Sequence, residues 1–289
     1  MKGSEFAATF GTKGFTAWEA AAFDLAKSGD GVVLWPWVDV TVTDGRDTVV
    51  VRAQSDVFSV GTPEDFLRLP LTPSRAQEIG NLAGYLLPTP YLVYAMWKAA
   101  PVKLSPTAMV PNKGANMGQF VEHNAVIESQ RAGRKGLVAG AKKSVVVGNL
   151  WRPGKVLLFG WYRPEPDVFD DHKPMGTPGR QPTQPYSNVH GDFYFDYSHG
   201  IHFLHSMCLV NGKETPLVEV YQHPELSRLV SHEGVVRQPR YPAPNAPAAY
   251  RPAHIASYPT HPLVIQTTPG YAEAGLAKTV HDYEAKKGS

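Results

Sequence analysis

Cysteine is almost absent from this chain of 289 residues. A single one, Cys208, excludes both an intrachain disulfide framework and a cysteine-built zinc centre. Charge is also sparse, with 19% Asp, Glu, Lys and Arg and a formal net charge of +2. So small a net charge exerts little long-range pull on phosphate backbones, and no basic stripe with interleaved aromatics occurs, so nucleic acid is not expected as a partner. No stretch approaches the roughly 18 apolar residues of a membrane span, and the chain is expected to be soluble. The sequence has no internal repeat, no His-Glu-x-x-His, no Gly-x-Ser-x-Gly elbow and no Ser-x-x-Lys. The opening Met1-Lys2-Gly3-Ser4-Glu5-Phe6 lacks the apolar core of a signal peptide. It reads as a cloning-derived leader, as does the closing Lys286-Lys287-Gly288-Ser289. An export signal lost in cloning is compatible with this, and the expected location is extracytoplasmic or secreted.

What is present is ordinary for a folded protein: 43% hydrophobic residues in a chain long enough for a sizeable core. Thr16 followed by Glu19, then Trp18, Ala21, Ala22 and Leu25 at helical spacing with Gly29 beyond, predicts a helix over 17–27. β-Branched runs at 32–42 and 48–53, separated by Thr43-Asp44-Gly45-Arg46-Asp47, predict a hairpin. Thr72-Pro73 and Thr89-Pro90 each place a capping residue before a proline suited to the first turn, predicting helices over 74–83 and 91–100. A polar helix is expected over 118–131. Strands are expected at 144–147, 155–162, 193–197, 201–210 and 217–221, with a tight turn at Asn211-Gly212 and a surface insertion over 163–187.

The expected fold is thus α+β. It has N-terminal helices and a hairpin, a mostly antiparallel sheet in the second half and a proline-rich C-terminal tail. Residues 7–236 read as a single domain, divisible into lobes at 7–135 and 136–236, with 237–289 packed across it and a weak helical stretch near 272–285.

Chemistry concentrates in residues 190–205, which hold four of the eleven histidines: His190, His199, His202 and His205. Imidazole exchanges protons near neutrality and ligates metals. Strand alternation would send His199 and His205 to one face and Asp196, Ser198 and His202 to the other unless the chain breaks at Gly200. His199 and His205 would then lie roughly 20 Å apart, too far to share an ion. A divalent metal is therefore not favoured; its alternative ligands are His190, Asp196 and His202. No other cofactor is expected. Cys208 reads as a small buried hydrophobe.

The segment Leu86-Leu87-Pro88-Thr89-Pro90-Tyr91, leading into an apolar helix, followed by Tyr197-Ser198-His199-Gly200-Ile201, is similar in layout to papain-like and NlpC-type cell-wall peptidases. Those families imply a papain-like fold, a nucleophile at the start of a buried helix and a base histidine at the start of a strand. They use cysteine, however, and here Thr89 stands in its place. Thr89 serves either as that nucleophile or as a helix cap, and Glu219 is a candidate to orient the base. The chain also resembles, over about 66–234, a group of bacterial proteins of no established activity. The shared pieces are Phe66 to Pro73, Leu87-Pro88-Thr89, His123-Asn124, Ala141-Lys142-Lys143, Gln184-Pro185 and Asp196-Tyr197-Ser198-His199-Gly200-Ile201. That resemblance implies that His123, Lys143, Ser198 and His199 form one constellation.

These readings converge on a hydrolase of amide or ester bonds, acting on peptide, cell-wall or small ester and amide substrates. His199 is the expected base, Ser198 or Thr89 the nucleophile, and His123 with Lys143 the charge-stabilising pair. Tyr197, Trp161 and Glu128 are candidates to contact substrate, with Glu128 also able to orient His123 from its helix. A non-catalytic protein binding sugar or peptide on an aromatic groove stays open. Perturbed titratable pairs would distinguish catalysis from binding.

Overall fold

β1 (Trp37–Thr43) and β2 (Thr48–Gln54) pair antiparallel in register from Trp37 with Gln54 to Thr43 with Thr48. The computed structural model describes residues 1–109, 116–164 and 182–244. The hairpin's inward side chains, Val40, Val42, Val49, Val51 and Ala53, are all buried, as alternation requires of a half-covered sheet.

Five helices have local causes. α1 (Gly3–Phe10) precedes α2 (Phe15–Ser28), which ends at Gly29 with φ of 72°; glycine takes this left-handed cap without strain. The first residue of α2 follows Gly14, not Thr16, so the predicted capping box does not form. α3 (Pro73–Ala83) and α4 (Pro90–Ala99) begin as predicted, with Thr72 and Thr89 accepting hydrogen bonds from Arg75 N and Leu92 N. α5 (Met117–Arg131) is capped by Asn116.

The remaining elements are short. β3 (Ser59–Thr62) and β4 (Asp65–Arg68) form a hairpin, and β5 (Val102–Lys103) pairs parallel with β6 (Val138–Ala139). β7 (Lys143–Val145), β8 (Leu158–Gly160), β9 (Gln184–Ser187) and β10 (His199–Gly200) form a sheet in the order β10-β7-β8-β9, where only the β10–β7 pair is parallel. β11 (Met207–Val210) and β12 (Lys213–Pro216) extend the first hairpin into the sheet β1-β2-β11-β12. Asn211 and Gly212, both at positive φ, make the turn between them. The chain is α+β with mainly antiparallel pairing, as expected. The main core draws on both halves, from Phe6 and Trp18 to Val236 and Tyr241.

Two expected strands fail for identifiable reasons. Residues 217–221 are not a strand but part of α6 (Leu217–Gln222), followed by a short 3-10 turn at Leu226–Leu229. Leu217, Val220 and Tyr221 recur at the helical i, i+3, i+4 spacing and are fully buried. Glu219 therefore lies on a helix, not on a strand following the base. Residues 193–197 are not a strand: Tyr194 N donates to Gly191 O and His199 N to Asp196 O, turns that curl the chain before β10. The opening residues form α1, which packs against the β3–β4 hairpin. Phe6 is fully buried, Ser4 binds Asp65 through Oγ at 2.5 Å, and a Cβ on Gly3 would sit 2.6 Å from the Phe66 backbone. Only the first residues of the expected tail are described; there Tyr241 packs in the core and donates to Val146 O at 2.8 Å. The helical stretch near 272–285 lies outside the described residues, as does most of the 163–187 insertion. Among the described residues no helix is long and apolar enough to cross a membrane.

Candidate active site

Two short strands carry the polar cluster. In the parallel pair, His199 lies beside Lys143 and Gly200 beside Ser144, and Lys143 N donates to Ser198 O at 2.7 Å. Neighbouring side chains on a strand point to opposite faces. Lys143 lies over the Trp161 ring, 5.1 Å from its centre. Lys142, just before the strand, and Ser144 share the other face, where both line a pocket with Val57, Val93, Trp161 and His202.

Asp196 is the hub on the β10 side. Its Oδ1 accepts from Ser198 N at 2.8 Å and Ser198 Oγ at 2.5 Å, its Oδ2 accepts from Tyr194 OH at 3.2 Å, and His199 Nε2 stands 4.0 Å from Oδ1. Burial opposes its ionisation, but His199, the Ser198 hydrogen bonds and Lys143 outweigh it and hold the carboxyl at about 2. His199 is 1% exposed, and burial pushes its pKa down to about 3 against the pull of Asp196, so the ring is neutral at pH 7. Among the described residues neither of its nitrogens has a hydrogen-bond partner. Such orphaned buried groups cost about 1–3 kcal/mol each. The carboxylate, not the imidazole, stands between serine and histidine, which inverts the order a serine-histidine nucleophile needs.

On the other side Lys142 is buried, 5% exposed. Its Nζ meets His123 Nδ1 at 3.0 Å and also donates to Tyr197 O. His123 Nε2 lies 3.2 Å from Thr107 O, and because a carbonyl only accepts, the ring carries its proton on Nε2 and receives Lys142 on Nδ1. Burial, reinforced by Lys142, pushes the His123 pKa down to about 3. Lys142 forms no ion pair among the described residues. Burial and then the Arg68 charge bring its pKa down to about 7, with Asp196 and Asp56 opposing. Space for the lysine stem depends on Gly200, where a Cβ would fall 2.6 Å from Lys142 Cβ and 2.9 Å from Val57 Cγ1.

Beyond Lys142 lies a second buried cation. Arg68 donates to Asp56 through Nε at 3.0 Å and Nη2 at 2.6 Å, to Glu128 Oε1 at 2.6 Å and to Asn124 Oδ1 at 3.0 Å. Glu128 therefore binds Arg68 and does not orient His123. Trp161 takes φ of 59°, unusual for a bulky side chain, at the edge of the pocket.

The structure brings His199, Ser198 and Lys143 together, and joins His123 to them through Lys142 and the Tyr197 carbonyl. It does not bring in Thr89, whose hydroxyl donates to Val230 O while capping α4. Ser198 Oγ is engaged by Asp196. Tyr197 OH accepts from Met109 N at 2.7 Å, so it anchors the 105–109 segment. Of the alternative metal ligands, His202 Nε2 donates to Gln54 O at 2.8 Å and His190 stacks on Tyr194 at 4.1 Å. Among the described residues no three His, Cys, Asp or Glu side chains are grouped to hold an ion. Cys208 is buried, and desolvation pushes its thiol up to about 12.

Sequence reasoning favoured Lys143 and passed over Lys142 and Ser144. Two adjacent lysines before an apolar run imply that one is drawn inward. Which one depends on pairing with β10, and a two-residue strand leaves no periodic trace. The chain matches no protein family, no curated protein and no solved structure.

Proposed function

We propose that the protein hydrolyses amide or ester bonds in the pocket beside β7, with Lys142 as proton acceptor and Ser144 as the attacking hydroxyl. The observation that carries this reading is a buried amine with no carboxylate partner among the described residues, hydrogen-bonded to a neutral imidazole, on a lysine that lines a pocket together with a serine. An amine that titrates near pH 7 is matched to general-base work, whereas the His199 ring, held near 3, is too weak a base for it. The serine-histidine pairing expected from the DYSHGI segment gives way to a serine-lysine one on the neighbouring strand. Ser144 makes no side-chain hydrogen bond among the described residues, which leaves its hydroxyl available.

Lys142→Met and Ser144→Ala should each lower turnover of an activated ester at least about 100-fold with circular dichroism unchanged. His199→Ala should retain most of the rate. Wild-type protein inert toward activated esters and short peptides would sink the proposal. A second reading, binding without turnover, draws on Trp97 Nε1, Trp161 Nε1 and Tyr162 OH. All three are buried donors without an acceptor among the described residues, on residues that line the same pocket, and a ligand oxygen would satisfy them.

A further inference from the structure

A lysine amine enclosed by apolar walls can act on a carbonyl compound directly, as well as serve as a base. We propose that Lys142 is a covalent capture site for small, uncharged aldehydes or ketones, which it binds as an imine in the pocket beside β7. This inference rests on the same pocket as the hydrolase reading, but it uses the nitrogen as the nucleophile.

Four observations point to it. The Lys142 stem runs across Gly200, the one residue type that leaves room for it, so the amine is placed by construction of the fold and not by chance of a surface rotamer. Its Nζ is held from two directions, by His123 Nδ1 and by Tyr197 O, which fixes the nitrogen instead of leaving it on a mobile four-carbon stem. The pocket wall is supplied mainly by Val93, Met96, Trp97, Val138, Trp161 and Tyr162, and no acidic side chain is among the described residues that line it. Such a wall favours a neutral, apolar ligand and leaves the amine without a counter-ion that would keep it protonated. The buried donors of Trp97, Trp161 and Tyr162 belong to residues of the same wall and lack acceptors among the described residues.

The step balances without oxidant or reductant. The Nζ lone pair forms the C–N bond as the carbonyl π pair moves to oxygen. One N–H proton passes to His123 Nδ1, which already faces that nitrogen at 3.0 Å, and from there to the new hydroxyl. The second proton leaves with that hydroxyl as water when the C=N bond closes. Amine plus carbonyl thus becomes imine plus water.

The full chain incubated with a low excess of butanal and cyanoborohydride at pH 7.5 should carry a secondary-amine adduct that peptide mapping places on Lys142, beside the one expected on the α-amino group of Met1. An amine with pKa about 7 is largely unprotonated there, whereas an ordinary lysine near 10.4 is only about 0.1% so. Lys142 should therefore be labelled at least about tenfold faster than any exposed lysine. Lys142→Arg, which cannot form the imine, should lose that adduct while surface labelling persists. Gly200→Ala should slow it by displacing the stem. Labelling of Lys142 no faster than of exposed lysines, or none at Lys142 in folded wild-type protein, would overturn the proposal. Ester turnover measured on the same samples separates the two readings. An adduct without hydrolysis removes only the hydrolase, and hydrolysis without an adduct removes only the capture site.

Discussion

Arg68 and Lys142 are both buried cations, close enough for the charge of the first to depress the pKa of the second, yet their surroundings are built on opposite plans. Arg68 is ringed by Asp56, Glu128 and Asn124, and although burial opposes its charge, Asp56 and then Glu128 raise its pKa above the ordinary value. Lys142 receives an imidazole nitrogen and a carbonyl, with the nearest carboxylates acting only at a distance. The difference teaches that burial works against the charge of both, and that the carboxylates at hand decide whether it wins: they outweigh it at Arg68 and do not at Lys142. A guanidinium with five donors accepts a planar, bidentate partner, and Arg68 receives one in Asp56. An ammonium without such a partner sheds its proton and becomes a nucleophile or base. One region holds β4, α5 and the 54–57 turn together, and the other holds the amine on which the proposed chemistry rests.

Breaking the first region should have the largest effect. Arg68→Met leaves Asp56 buried with only the Val57 amide at 2.8 Å and a distant Arg131 at 3.7 Å. Removing one partner of a buried pair costs about 3–5 kcal/mol. Urea unfolding should show that loss, and a change under about 1 kcal/mol would mean that Asp56 takes up a proton or finds water instead.

The second test sharpens the contrast through pH. The Lys142 pKa falls from about 10.4 in the unfolded chain to about 7 in the folded one. Between those values the unfolded state binds more protons, so stability rises with pH. At pH below about 7 both states are protonated and the full desolvation cost is felt; above about 10 neither is. Lys142→Met removes this dependence. The mutant should therefore be most favourable relative to wild type near pH 6 and lose that advantage steadily toward pH 10. Chemical unfolding of both proteins at pH 6, 8 and 10 checks it, and parallel curves would refute a depressed lysine.

The two regions were not equally legible in the amino-acid order. The β1–β2 hairpin and the starts of α3 and α4 were readable because their causes are local: β-branched alternation, and a threonine before a proline. α6 was misread because Leu217-Val218-Glu219-Val220-Tyr221 satisfies both periods over so short a span, and only its buried face selects the helix. The polar helix that forms α5 was readable. Arg68, the partner of its Asn124 and Glu128, lies on β4, 56 residues away from Asn124, a separation no spacing rule spans. The DYSHGI segment was legible as a polar cluster, since it carries Asp196, Ser198 and His199. Its junction with Lys142 was not, because the β10–β7 pairing is two residues long and parallel. Phe6 was hidden for a different reason: a sequence that looks like a cloning remnant gives no hint that its aromatic ring is buried.

The smallest effect lies at the rim of the Arg68 cluster. Glu128 Oε1 meets Nη2 at 2.6 Å, but its side chain is 39% exposed while Asp56 is 1% exposed. Solvent screens a charge in that position, and exposed ion pairs contribute about 0–1 kcal/mol. Glu128→Gln keeps an acceptor oxygen for the same hydrogen bond and removes only the charge. It should cost under about 1 kcal/mol in urea unfolding, and the loss should shrink further in high salt. It should also leave the Lys142 titration nearly where it was, because Asp56 still neutralises the guanidinium that faces it. A cost approaching that of Arg68→Met would show that the arginine depends on both carboxylates equally. The two cations would then differ only in the number of their partners, and the burial of those partners would not matter.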